Sequence, residues 1–110
     1  MFFLSGVTIG EIRQGIEMQR SDLRKRAKLE QTLADFRARF AGRILDVDHV
    51  VAETWGEMNG RARTAGGGPL SALDSLIAAT AIVHRLVVVT GNVRHFERTG
   101  VSVINPFENV

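Results

Sequence analysis

Leu86-Val87-Val88-Val89-Thr90 is the segment that most restricts the fold. Four of its residues are apolar and four are β-branched, with no polar alternation. A short run of this kind suits a parallel strand buried on both faces. Parallel strands need crossover connections, usually helical, so the rest of the chain should supply amphipathic helices. It does. Phe2-Phe3-Leu4 is a short β-prone start. Thr8-Ile9-Gly10-Glu11 has the form of a capping box, with Thr8 as N-cap, Glu11 at N3, and Ile12 and Ile16 on one helical face. Ser21 is placed to cap a second helix in which Leu29, Leu33, Phe36 and Phe40 form a stripe, ended by Gly42.

Arg43 to Val47 predicts a second strand, and Asp48 caps a helix running to about Asn59. Ala65-Gly66-Gly67-Gly68-Pro69 is a flexible connector. Ser71-Ala72-Leu73-Asp74 is a second capping box, opening a helix in which Leu73, Leu76, Ile77, Ala81 and His84 lie together. Gly91-Asn92 turns the chain after the apolar strand. Val93 to Glu97 forms one helical turn, Thr99-Gly100 breaks it, and Val101 to Ile104 is the last strand. Helices alternating with short apolar strands give an α/β class with a mostly parallel sheet, and 110 residues suit a single domain.

Composition excludes several chemistries. The chain has no cysteine, so disulfides, thiolate zinc sites and a cysteine nucleophile are ruled out. His49, His84 and His95 lack zinc spacing. The glycine run lacks the Lys-Ser/Thr of a phosphate loop, and no Gly-x-Ser-x-Gly elbow occurs. No apolar run is long enough to cross a membrane, and Met1 to Ile9 has neither the basic start nor the cleavage site of a signal peptide. A cytoplasmic protein is expected. The formal net charge of +2 is uneven: residues 20–43 hold eight Lys/Arg against three acids, and the remainder is acidic. A basic helix on an acidic body points to a polyanion partner, with Arg24, Lys25 and Lys28 as candidate contacts; a solvated helix face explains the same charges.

Glu11 and Asp74 are the acids best placed for chemistry, since α/β sheets bind ligands beyond the carboxyl ends of their strands. Carboxylate oxygens suit Mg²⁺ or Mn²⁺, which can polarise a phosphodiester and activate water. An acid at N3 of a capping box already has a structural reason to be there, so spacing leaves both readings open. Asp46 and Asp48 are explained as an edge residue and an N-cap, and Trp55 as a core or interface residue.

The sequence resembles the PIN-domain nucleases of the VapC and FitB toxin type along essentially its whole length. Leu4 to Ile16, with Ser5-Gly6-Val7-Thr8-Ile9-Gly10-Glu11-Ile12-Arg13-Gln14-Gly15, is similar to the family's second block. Pro69-Leu70-Ser71-Ala72-Leu73-Asp74-Ser75-Leu76-Ile77-Ala78-Ala79-Thr80-Ala81 is similar to the block carrying the third acid. Val89-Thr90-Gly91-Asn92-Val93-Arg94-His95-Phe96, with Gly100-Val101 and Asn105-Pro106-Phe107, resembles the closing block. The resemblance implies a three-layer α/β/α PIN-like fold and an acidic site holding Mg²⁺ or Mn²⁺ for RNA cleavage. It makes Glu11 and Asp74 the catalytic metal ligands and places Thr90, Asn92 and His95 in the shell. It also implies a homodimer neutralised by a VapB-like antitoxin.

Two departures qualify the expectation. The family's first block, a strand ending in an Asp, has no counterpart in the ten residues before Glu11, which implies an N-terminally truncated PIN domain over residues 1–110 that lacks the first, central strand. His95 stands where the family usually has its fourth acid, and imidazole is a poorer Mg²⁺ partner than carboxylate. The expected function is therefore an impaired metal-dependent endoribonuclease. The competing expectations are an inactive remnant that only binds an antitoxin or other partner, and an α/β domain whose capping boxes are only caps. An unpaired edge on the Val87 to Val89 strand would leave the chain poorly soluble or oligomeric.

Overall fold

The computed structural model describes residues 2–107, which fall into two compact units divided after Asp46. The first contains β1 (Leu4–Ser5), α1 (Gly6–Met18), α2 (Leu23–Arg39) and β2 (Ile44–Leu45). The second contains α3 (His49–Thr64), α4 (Ala72–Val83), β3 (Val88–Val89), a 3-10 helix (Val93–Thr99) and β4 (Val103–Ile104). Both pairings are parallel, as the α/β class requires. Leu4 faces Ile44 and Ser5 faces Leu45 in one unit; Val88 faces Val103 and Val89 faces Ile104 in the other.

In the first unit, α1 packs on α2 through the buried Ile16 and Leu33. Full burial of side chains this size stabilises by about 1.5–3 kcal/mol each. Arg26 crosses the same interface: its Nη1 donates to the Ile16 carbonyl at 3.4 Å, and its guanidinium pairs with Glu17 and Glu30. Arg43 donates to the Phe2 and Arg39 carbonyls and lies 5.3 Å from the Phe40 ring centre, tying the chain start to the end of α2.

Both expected caps in this unit move. Ser5, not Thr8, is the N-cap of α1; its hydroxyl accepts from the Val7 N–H at 3.1 Å. Pairing of Leu4 and Ser5 with β2 ends the strand there and lets the helix begin at Gly6. A Cβ on Gly6 would stand only 3.3 Å from the Leu45 carbonyl oxygen, so the close approach favours glycine at this crossing. Asp22, not Ser21, caps α2, accepting from Lys25 N–H at 3.1 Å; a carboxylate is the stronger acceptor of the two neighbours. The helix closes on Phe40, and Gly42 follows with φ +76°, the left-handed turn expected of it.

The second unit is organised by α3 against α4. Asp48 caps α3 as expected, accepting from Val51 N–H at 2.9 Å. The helix does not stop near Asn59; it continues to Thr64, because burying Met58 and Ala62 on its inner face outweighs the local cost of Gly60. The inner face of α4 also differs from expectation. Ser75, Ala78, Ala79, Thr80 and Ala81 are buried, while Leu73 and His84 are exposed. Small residues let the two helices approach closely, and the longer side chains are displaced to the flanks. Trp55 belongs to this packing, as expected for a core residue: its indole N–H donates to the Ser75 hydroxyl at 2.9 Å, and that hydroxyl donates back to the Ser71 carbonyl.

β3 is shorter than the apolar run that predicts it, and only one side of it is covered. Val88 is buried, whereas Val87 and Val89 are exposed. Among the described residues its one strand partner is β4, held by Val88 N–H to Ser102 and Thr90 N–H to Ile104. Burial on both faces, expected from the sequence, is thus not met. Phe96 and Val101 complete the core, and Gly100, at φ +81°, ends the 3-10 helix.

Candidate active site

Asp74 sits in the first turn of α4, where Ser71 is the N-cap and its hydroxyl accepts from the Asp74 N–H at 3.5 Å. The reciprocal half of a capping box is missing among the described residues. An Asp side chain is shorter than the Glu or Gln that normally reaches back. The carboxylate turns instead toward the 3-10 helix, where His95 Nδ1 lies 3.4 Å from Asp74 Oδ2. Capping accounts for Asp74's backbone but not for the direction of its side chain.

His95 is carried by the turn that follows β3. The Thr90 hydroxyl accepts from the Asn92 N–H at 3.0 Å, and the Asn92 carbonyl accepts from the His95 N–H at 3.1 Å. Thr90 and Asn92 therefore shape the turn that presents His95. Asn92 precedes the 3-10 helix and its side chain makes no capping bond. The Phe107 ring covers the turn: a Cβ on Gly91 would come within 3.2 Å of it. Asn105 fixes Phe107 by accepting its N–H at 2.9 Å. The closing block thus forms one folded piece whose outward product is an imidazole beside Asp74.

Glu11 belongs to the first unit and is exposed on α1. With Ser5 as N-cap, Glu11 is not at N3 but a turn further along, and no hydrogen bond or ion pair engages it among the described residues. The capping explanation for this carboxylate is removed. Arg24, Lys25 and Lys28 are exposed on α2, away from the stripe containing Leu29 and Leu33, and take part in no ion pair among the described residues. Asp46 is exposed at the end of the first unit.

One residue on the 3-10 helix that bears His95 carried no expectation. Arg98 lies three residues after His95, and residues three apart share a face of a 3-10 helix. Its Nη2 donates to the Gly68 carbonyl at 2.8 Å. The glycine run leading to α4 is therefore pinned, not a free connector. The sequence signal was the arginine's i, i+3 relation to His95.

A carboxylate with one oxygen beside an imidazole and the other unengaged among the described residues is a hard donor, which fits Mg²⁺ or Mn²⁺. His95 is a softer donor and fits these ions less well. Among the described residues no three His, Asp or Glu side chains gather as a metal centre.

Comparison with known proteins decides the family. The profile described as PIN domain matches residues 1–101. This chain belongs to the PIN-domain family. Its relatives include toxins of the VapC and FitB type: it is 34% identical to Toxin FitB of Neisseria gonorrhoeae over 97% of this chain and 76% of that protein. It is 29% identical to VapC ribonuclease Y4jK of Sinorhizobium fredii, over 96% of this chain and 75% of that one. Among solved structures, FitAcB from Neisseria gonorrhoeae aligns with a TM-score of 0.83 at 34% identity, covering 96% of this chain and 76% of that chain. DNA-bound VapBC from Salmonella typhimurium aligns at 0.76 and 29% identity, covering 91% and 71%. The α/β PIN-like class read from the sequence therefore stands. No helix among the described residues is long and apolar enough to cross a membrane.

Proposed function

We propose that this PIN-domain chain is a cytoplasmic metal-dependent endoribonuclease of the VapC-like toxin–antitoxin type, with Glu11 and Asp74 as the metal-holding carboxylates. The observation that carries the reading is Asp74: its side chain forgoes its capping bond and is presented beside the closing-block residue His95. Glu11 is assigned by its place in the Leu4–Ile16 block and by the absence of a capping role. A bound Mg²⁺ or Mn²⁺ would supply polarisation of the scissile phosphodiester and activation of water. The chain's own residues hold the carboxylate in place: Ser71 fixes the turn bearing Asp74, and Thr90 and Asn92 fix the turn bearing His95. Imidazole in place of a further carboxylate leaves the site short of negative charge, so cleavage is impaired. Arg24, Lys25 and Lys28 supply weak phosphate contacts along the RNA.

The partners proposed are an RNA substrate, a VapB-like antitoxin and a second copy of the chain. The antitoxin assignment is supported by relatives of known structure that are themselves FitAB and VapBC assemblies. RNA cleavage in Mg²⁺ or Mn²⁺ by the wild type, Glu11→Ala and Asp74→Ala tests the nuclease reading. Loss in both variants supports it; equal activity in all three ends the metal assignment. The His95–Asp74 contact also favours a second reading, an inactive domain retained for partner binding. That reading predicts no metal-dependent cleavage by the wild type while a VapB-like antitoxin is still bound.

A further inference from the structure

A concave pocket of about 490 Å³ lies within the second unit, between the last turns of α3 and the end of the 3-10 helix. Two guanidinium groups, Arg61 and Arg98, line it, and no carboxylate does. Met58 and Ala62 also line it, but both are buried and offer a ligand little surface.

Arg98 is held in one orientation. Besides its bond to the Gly68 carbonyl, its guanidinium packs against Gly67, where a Cβ would be 2.6 Å from Nη2 and 2.9 Å from Cζ. A guanidinium has five N–H donors, and the protein hydrogen bond here uses Nη2 alone. Fixing it beforehand lowers the entropy lost on binding an anion. Arg61 is the less constrained counterpart: its side chain is 74% exposed, and its one ion-pair partner among the described residues, Glu57, is 4.0 Å away. A surface pair of that length holds it weakly.

The ligand that fits two arginines with no carboxylate beside them carries anionic oxygens. A nucleic-acid phosphate and an acidic side chain both do. Position favours the phosphate: Arg98 and His95 share a face of the 3-10 helix, about 6 Å apart along its axis at ~2.0 Å per residue. His95 meets Asp74.

We infer that this pocket is a subsite for one backbone phosphate of single-stranded RNA, held by Arg98 and Arg61. The inference rests on the nuclease reading for its substrate class. It is tested by fluorescence anisotropy of a labelled mixed-sequence RNA dodecamer in EDTA, where cleavage is silent, across a salt series. Arg61→Gln and Arg98→Gln should each weaken binding about fivefold or more. Arg61→Gln should also reduce the slope of log affinity against log salt by about 0.7, the value for one phosphate on a single strand. Arg63→Gln, an equal loss of charge outside the pocket, should keep the wild-type slope. Arg61 is exposed, so its variant folds even if Arg98→Gln disturbs the glycine loop.

Wild-type affinity and slope in Arg61→Gln overturn the inference, as does absence of RNA binding by the wild type. Binding of oligoglutamate through the two arginines in preference to RNA also overturns it, in favour of a protein partner. The two proposals fail separately. A wild type that cleaves while Arg61→Gln binds RNA normally loses the pocket and keeps the nuclease. A chain that never cleaves but loses RNA with Arg61→Gln keeps the pocket and loses the nuclease.

Discussion

His95 Nδ1 stands 3.4 Å from Asp74 Oδ2, so one oxygen of this carboxylate faces an imidazole. Replacing the imidazole by a carboxylate would place two like charges together, costing stability in the absence of a cation and favouring a hard divalent ion. His95→Asp is therefore expected to lower the melting temperature in EDTA and to show a larger upward shift than the wild type on adding MgCl₂. Calorimetric titration should give Mg²⁺ affinity on the order of tenfold tighter than wild type. Unchanged Mg²⁺ affinity would mean that position 95 does not face a metal site.

The start of α1 separates two otherwise similar hydroxyls. Ser5 accepts the Val7 N–H and has the extended backbone of an N-cap, whereas Thr8 lies inside the helix. Ser5→Ala should cost about 1 kcal/mol in urea unfolding, as typical N-cap losses do. Thr8→Ala should lie within about 0.5 kcal/mol of wild type, since alanine is the better helix former. The reverse order would restore Thr8 as the cap and return Glu11 to N3.

Much of the architecture was legible because its signals are local. Asp48 and Ser71 bond to N–H groups three residues ahead, and Gly42 and Gly100 adopt the left-handed turns their positions suggest. The parallel pairing followed from short apolar strands separated by helices. What was not legible depends on contacts distant in sequence. Ser5 rather than Thr8 begins α1 because Leu4 and Ser5 pair with Ile44 and Leu45. The passage of α3 through Gly60 reflects packing on α4. In the candidate site, Asp74 was readable as a first-turn acid of α4 and His95 as part of the turn after the apolar strand. The side-chain turn of Asp74 away from its cap, and the anchoring of Arg98 on Gly67 and Gly68, needed coordinates.

The inner face of α4 yields a contrast opposite to ordinary hydrophobic expectation. Ala79 is fully buried against the α3 side of its unit, while Leu73 is 41% exposed. Ala79→Leu should cost about 1–3 kcal/mol, because a close-packed helix contact has no room for three more carbons. Leu73→Ala should cost about 0.5 kcal/mol or less, the usual size for an exposed position. Equilibrium denaturation of the two variants decides the matter. A greater loss at Leu73 would mean that the larger residues, not the small ones, form this interface.

Val88 and Thr90 donate their N–H groups to the β4 side, and Val87 and Val89 are 44% and 46% exposed. Among the described residues β3 has no second strand partner. An apolar strand with an open edge templates pairing with another chain, and natural proteins blunt such edges with lysine. The chain should therefore self-associate, and Val87→Lys and Val89→Lys should each shift it toward monomer in sedimentation velocity. Both positions are exposed, so unfolding free energy should change by only about 0.5 kcal/mol. Weaker association without loss of fold would locate the contact at this strand. A wild type that sediments as a single monomer over the whole concentration range would show that the edge is already protected.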